Sequence, residues 1–415
     1  MKNRKPIRTW YLLIIPVLFI LHSTVKAQYG HTTINTLEHI TSNRAIGMAA
    51  ATVAMPNYAG AFQVNPAAVG APGFVRLTTN IDPAGDPLIL APGISTSVNR
   101  FSLAYNYTFQ NTGSPVATRP AGSYFSVGHP SDHIHTFTIA YQLKKDLRIG
   151  LGINYVHSTW NQPVAQANPD SKTSPNPYWW QTETTLNRKL AFDFGLLYGK
   201  SYSYNRFDLQ HSYGWSLTSF GTPVDYKYTS GSLFRQNALP AKMRAGFSLK
   251  MAIDKKHDER DLVAIRINYA LSKYMVDVSY DVVDGKPVAT LSGPFEALFT
   301  SWDKFRQPYY NPGSDPQYTY KSYRLGQQLD HHSSISLILL DVFRLSTGIV
   351  TEGQVNGGNT YITYGLGMDA HYVTIELTGY NTGFQAHNSS YNSGITAFPH
   401  ITVNLPVQEM FNSSK

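Results

Sequence analysis

Apolar and polar positions alternate with a period of two over much of this chain. The clearest run sets Ile362, Tyr364, Leu366, Met368, Ala370 and Tyr372 against Thr363, Gly365, Gly367, Asp369 and His371. After Tyr372 the phase slips by one residue, and Val373, Ile375 and Leu377 alternate with Thr374, Glu376 and Thr378. Side chains on a strand point to opposite faces in turn, so the two runs predict two strands joined at a tight corner. One face of each is apolar and the other carries Gly, Thr, Asp, His and Glu.

The alternation recurs at residues 75–81, 101–109, 137–143, 149–155, 192–198, 209–217, 245–251, 263–269, 276–280, 335–349 and 401–405. The strands come to about 14, and an even number is expected of a bacterial single-chain barrel. Many are about 9 to 11 residues long, enough to span a bilayer at a barrel's tilt. Beyond the first 27 residues no apolar run approaches the ~20 that a spanning helix needs. The pattern predicts an all-β fold, a transmembrane antiparallel β-barrel of about 14 strands. Its lumen would be lined by Ser102, Asn106, Asn154, Asp193, Lys250, Arg266 and Asn268, groups that are costly against lipid.

The N-terminus predicts export. Lys2, Arg4, Lys5 and Arg8 precede an apolar stretch at 10–21, and Val25-Lys26-Ala27 is a small-x-small cleavage site, so residues 1–27 are read as a signal peptide. Composition agrees with a barrel: charged residues are 14% of the chain, against about 25% in an ordinary soluble domain. With no cysteine, a lipidated N-terminal Cys, disulfides and thiolate metal sites are excluded. The net charge of +8 is spread thinly, with Lys255-Lys256 beside Asp254, Asp258 and Glu259, and predicts no nucleic-acid partner. Trp160, Tyr178-Trp179-Trp180, Trp215 and Trp302 sit toward strand ends, as interfacial girdle residues do. Residues 161–183, with Pro163, Pro169, Pro175 and Pro177, and residues 294–332, around Phe305-Arg306-Gln307-Pro308-Tyr309-Tyr310, are read as long external loops.

No catalytic constellation emerges. His133 and His135 would share a strand face and His331-His332 form a second pair, but neither has a third ligand at metal spacing, and exposed turns account for both. Ser158 follows His157 without a third group to orient the pair, and there is no Gly-x-Ser-x-Gly elbow or phosphate-cradling loop. Neither an enzyme nor a cofactor is predicted.

The residues before the first strand are different in kind. Small residues dominate 44–54, and 57–69 contains Asn65-Pro66, a turn initiator because Pro fixes φ and disfavours the helical region for the residue before it. Gly47-Met48-Ala49-Ala50-Ala51, Asn57 and Asn65-Pro66-Ala67-Ala68 resemble the opening of the FadL-type outer-membrane transport proteins, which include PorV and PorQ of type IX secretion. Leu239-Pro240-Ala241-Lys242-Met243-Arg244-Ala245-Gly246 resembles that family's Leu-Pro-x-x-x-Arg-x-Gly start of a mid-barrel strand. In the family Ala49 and Ala50 would be glycines, Asn57 an acid and Ala68 a glycine. The resemblance implies that residues 28–73 form a plug or hatch, 74–408 the outer-membrane barrel and 409–415 a tail. It also implies passive uptake of small hydrophobic molecules or, alternatively, a component of type IX secretion or surface attachment. The implied partners are outer-membrane lipid and either small hydrophobic ligands or secretion-system proteins.

Overall fold

The computed structural model describes residues 34–406 apart from 38–39, 83–87, 112–115, 119–123, 127–130, 168–177, 228–232, 256–260, 284–285, 304, 311–317, 357, 359, 371 and 381–395. Residues 1–27, expected to be a signal peptide, and 409–415, expected to be a tail, lie outside the described residues. Fourteen antiparallel strands follow one another around a closed barrel in chain order. They are β1 (Phe74–Asp82), β2 (Leu88–Leu90 and Gly93–Val98, interrupted at Pro92), β3 (Phe101–Asn111), β4 (Ser131–Lys144) and β5 (Leu147–Ala167). Next come β6 (Tyr178–Tyr204), β7 (Phe207–Gly221), β8 (Lys242–Lys255), β9 (Asp261–Tyr274) and β10 (Asp330–Leu339). The last four are β11 (Phe343–Thr351), β12 (Thr360–Ala370), β13 (Val373–Tyr380) and β14 (Thr396–Pro406). β1 closes the barrel by pairing with β14, from Phe74↔Pro406 to Asn80↔His400.

The period-two pattern becomes an inside and an outside. On β10, Ser334 and Ser336 are buried at 6% and 1% exposure while Ile335 and Leu337 stand out at 47% and 36%. Leu103, Phe137, Leu151, Phe194, Ile267, Leu345, Leu366 and Leu377 are likewise exposed, and together they form the apolar outer belt expected of a barrel in lipid.

The two ends differ. At one end adjacent strands join through short turns at 99–100, 145–146, 205–206 and 340–342, and Asn99 and Asn205 take the left-handed conformation (φ 54° and 51°) that such turns require. The other end carries the long connections. These include the hairpins Val278–Val283 with Lys286–Leu291 and Phe305–Tyr310 with Tyr318–Tyr323, and the short helix α2 (Pro294–Thr300), whereas α1 (Asn43–Gly47) belongs to the segment before β1.

Three expectations are corrected. Residues 276–280 contribute to an external hairpin rather than the barrel, and the barrel strand in its place is β2, whose pattern Pro92-Gly93 interrupts. Residues 161–183 are largely strand, because β5 and β6 continue pairing from Asn161↔Thr184 to Ala167↔Tyr178. Pro163 lies within this paired extension, opposite Thr182. Residues 294–332 hold α2, a hairpin and the start of β10 instead of an open loop.

Candidate functional site: the filled lumen and the β7 bulge

Residues from Ile34 to Ala71 run through the lumen. Thr36 reaches the loop end, where its hydroxyl meets Gln110 Oε1 at 2.6 Å and the Asp132 carboxylate. Asn57 lies at the turn end, where its Oδ1 accepts from Arg148 Nη1 at 2.7 Å and its backbone oxygen from Arg76 Nη1 at 3.2 Å. An acid at this position would meet the same two cations.

The residues singled out in the sequence lie on this path. Met48, Ala49, Val53, Val64 and Ala67 are fully buried, and Gly47, Asn65 and Pro66 are buried with them. Asn65 Nδ2 donates to Val53 O (2.7 Å) and to Leu196 O of β6 (3.0 Å), and its Oδ1 accepts from Ala67 N (3.0 Å). Both donors and one acceptor site of this buried amide are thereby used. Gly47 packs on Gly365 of β12, where a Cβ on either residue would crowd the other's backbone. Ala49 O accepts from His332 Nδ1 at 2.8 Å, which puts that ring's proton on Nδ1. Ala49 and Ala50 have φ of 54° and 57°, a region that costs a non-glycine residue about 1–2 kcal/mol.

The mid-barrel motif meets this segment across β7. Ser216 of β7 pairs in register with Arg244 of β8 and donates to Val64 O at 2.7 Å. Arg244 Nη1 donates to Thr218 Oγ1 at 2.8 Å, and buried Leu239 packs against Gly221. Gly246 lies against Ala270 of β9, and Pro240 is buried beside Leu239.

Sequence reasoning missed an ion-pair network holding the segment to the opposite wall. Arg44 of α1 contacts Glu376 (Nε–Oε1 2.7 Å) and Asp369 (Nη2–Oδ1 3.0 Å). Arg344 of β11 contacts the same acids at 2.5 and 3.2 Å, and His400 Nδ1 lies 3.4 Å from Glu376 Oε2. Two guanidiniums thus share two carboxylates, and neither charge type is left uncompensated inside the wall. Arg344, Asp369 and Glu376 were visible within alternating runs, but their meeting with Arg44 of the N-terminal segment depends on the positions of separate strands.

A second missed feature is a bulge in β7. Between Leu217↔Phe194 and Phe220↔Phe192, β7 has one residue more than β6, and Ser219 takes φ 59°. The Ser219 amide is taken by the inward carboxylate of Asp193 (2.7 Å), whose other oxygen accepts from Asn154 Nδ2 at 2.8 Å. Apolar side chains lie on both faces of the wall here. Inside are Ile34, Leu37, Ile134, Val156, Ala191, Val224 and Leu239. Outside, a groove of about 920 Å³ between β6, β7 and α2 is lined by Leu190, Phe192, Phe194, Leu217, Phe220 and Leu298. The hollow at the turn end, about 700 Å³, is polar instead, with Arg44, Arg76, Asn57, Asp369 and Asn404 in its walls.

α2 rests on the outer wall, its Leu298 and the following Trp302 against Trp215, Leu217, Phe220 and Met243. In the adjoining external hairpin, burial pushes the Tyr280 phenol up to about 12, and the charge of Tyr320 adds to the shift. His133, His135 and His331 are not on turns: they lie on the outward faces of β4 and β10, and His332 faces the lumen. Among the described residues no group of three or more His, Asp or Glu is placed to hold a metal ion. The side chains of Trp160, Trp179 and Trp180 lie outside the described set, and Trp215 and Trp302 pack under and beside α2.

No protein-family model matches the chain, and no curated protein is similar to it in sequence. Among solved structures it is similar to the toluene transporter TbuX of Ralstonia pickettii (9% identity, 88% of this chain and 100% of that chain, TM-score 0.43). It is also similar to the toluene transporter TodX of Pseudomonas putida (10%, 92% and 99%, TM-score 0.43) and to a Pseudomonas aeruginosa FadL homologue (11%, 88% and 98%, TM-score 0.38). The barrel itself stands on this chain's own strand pairing.

Proposed function

We propose that the protein is a bacterial outer-membrane channel for passive uptake of small hydrophobic molecules, with residues 28–73 as its plug. Short turns mark the periplasmic end of such barrels, so the loop end faces outward. The observation that carries the reading is the β7 bulge, where apolar side chains occupy both faces of the wall and the ladder between β6 and β7 is interrupted. A molecule of a few carbons entering the Ile34–Leu37–Ile134–Val156 cluster gains about 0.8 kcal/mol per buried CH₂ without needing a polar partner. At Ser219 the strand ladder between that cluster and the outer groove is interrupted. Polar solutes meet a lumen occupied by the N-terminal segment.

A second reading, a type IX secretion or surface-attachment component, is favoured by the loop end. Phe295 and Phe299 of α2 are 72% and 80% exposed beside projecting hairpins, a surface suited to a protein partner. Mass spectrometry of what co-purifies from native outer membranes in mild detergent separates the two. A bound small hydrophobe without a stoichiometric protein supports uptake; a stoichiometric secreted or translocon protein without a hydrophobe overturns it in favour of the second reading.

A further inference from the structure

The outward face of β3 to β6 is sorted by height. At the loop end, Phe109, His133, His157 and Arg188 are successive register partners, forming one row across four strands. The row below is Tyr107, His135, Tyr155 and Leu190, and the next is Tyr105, Phe137, Ile153 and Phe192. The top row thus carries Arg188 and two imidazoles, the second two tyrosines with one imidazole and a leucine, and the third only Tyr, Phe and Ile side chains.

The level of the top row follows from β6. Arg188 and Lys200 are exposed on the same face of that strand and bracket Leu190, Phe192, Phe194 and Leu196. Twelve residues at about 3.3 Å each, tilted about 45°, rise about 28 Å. This is close to the ~25 Å apolar band of an outer-membrane barrel. Arg188 thus lies at the headgroup level of the outer leaflet and Lys200 at that of the inner leaflet.

Two of the imidazoles lie against tyrosine hydroxyls that can donate to them. His133 Nδ1 lies 2.7 Å from the Tyr107 hydroxyl, and His135 Nδ1 lies 2.9 Å from that of Tyr105. With each tyrosine O–H donating to Nδ1, the ring proton sits on Nε2, directed away from the tyrosine. The rings of His133 and His157 are tilted at 40° with centroids 5.7 Å apart, and Arg188 follows them in register, so two imidazoles and a guanidinium are gathered at one level. Directly below Arg188, the apolar groove of about 920 Å³ runs down β6 past Leu190, Phe192 and Phe194, with Phe295 and Leu298 of α2 along its side. From Arg188 to Phe194 is about 14 Å of depth at the same tilt, about one leaflet of hydrocarbon.

We propose that this face holds a phosphorylated lipid of the outer leaflet, its phosphate on the His133–His157–Arg188 row and an acyl chain in the groove beside α2. A guanidinium and imidazole N–H donors match phosphate oxygens, and the groove matches hydrocarbon in both chemistry and length. The groove is the one that faces the β7 bulge, but lipid binding there requires no passage through the lumen, so it is read separately from uptake.

The test is native mass spectrometry of the full-length barrel in mild detergent, with added diphosphoryl lipid A or, in parallel, diacylglycerol, which has no phosphate. One lipid A per barrel is expected, with diacylglycerol at least tenfold weaker. Replacing His133, His157 and Arg188 together by Ala lowers lipid A binding about tenfold or more. His331→Ala, at the outward Tyr269–His331 pair four strands from β6, leaves it unchanged. Heat-modifiable gel mobility verifies that each variant is folded; should the triple variant fail to fold, Arg188→Glu alone produces the loss. Equal binding of diacylglycerol, undiminished lipid A binding by the folded variant, or an equal loss in His331→Ala overturns the proposal.

Discussion

Gly150 of β5 and Gly195 of β6 are direct register partners, and the turn Asn65-Pro66-Ala67 rests on both. A Cβ at Gly195 would overlap Asn65 Oδ1, and one at Gly150 would overlap the Pro66–Ala67 peptide. Two facing glycines thus make a recess into which a backbone turn can settle. Gly195→Ala is expected to lift this turn and to cost about 1–3 kcal/mol, as overpacking does. Hydrogen–deuterium exchange over 61–69 should accelerate; unchanged exchange would show that the turn does not depend on the recess.

The same segment carries strain at Ala50, whose φ of 57° suits glycine better. Ala50→Gly relieves up to about 1 kcal/mol, less what glycine loses in the unfolded chain. A small rise in the thermal midpoint is expected, and a fall would mean that the Ala50 methyl supplies packing of greater value than the strain.

Glu376 is the acid on which the opposite attachment depends, because Arg44, Arg344 and His400 all face it and its side chain is only 4% exposed. Glu376→Gln leaves two guanidiniums sharing Asp369, and removing one partner of a buried pair costs about 3–5 kcal/mol. Asp369 is 33% exposed at its side chain, so Asp369→Asn is expected to cost only about 0–1 kcal/mol. Limited proteolysis within 43–60 should increase strongly in the first variant and little in the second. Equal protection in both would remove the network from any role in holding the segment.

Asp193 closes the bulge by accepting from Ser219 N and Asn154 Nδ2. Asp193→Ala strands both donors, at about 1–3 kcal/mol each, whereas Asp193→Asn keeps an acceptor for Ser219. With the bulge as the weak point of the wall, the alanine variant takes up a fluorescent hydrophobe several-fold faster in whole cells and the asparagine variant stays near the parent. A loosened bulge with unaltered uptake would count against passage there.

The fold was legible where lipid outside and polar groups inside imposed period two, as on β10 and β12. The agreement in strand count hides an exchange, since β2 was obscured by Pro92-Gly93 while the external hairpin at 278–291 alternates like a barrel strand. His133 and His135 were misplaced on a turn although they share parity with Phe137 and Ile139, a signal that was present. The small-residue character of 44–54 announced a non-strand segment, and the Asn65 turn was readable from Asn-Pro chemistry. Which wall glycines receive it was not, because Gly150, Gly195 and Gly365 are far apart in sequence and meet the segment only through barrel closure and register. The Arg44–Glu376 contact, 332 residues apart, has the same cause.

Lys273, at the loop end of β9, ties α2 to the barrel. Its Nζ donates to Tyr274 O (3.0 Å) and to Ser301 O (2.7 Å), and it stands 5.4 Å from the Trp302 ring centroid. It is 1% exposed; burial disfavours its charged form, and the nearby carboxylates of Asp277 and Asp330, with those carbonyls and that ring, favour it. Charge-assisted hydrogen bonds contribute about 1.5–3 kcal/mol each, and the cation–π contact up to about 2 more. α2 spans only Pro294–Thr300, too short to be stable as an isolated helix. Lys273→Met removes the tie while keeping the apolar stem. Exchange over 294–302 is then expected to rise toward that of an open loop, while the thermal midpoint of the barrel, whose strand pairing is untouched, moves little. A large fall in the barrel midpoint instead would make Lys273 a support of the β9 wall, with α2 only resting on it.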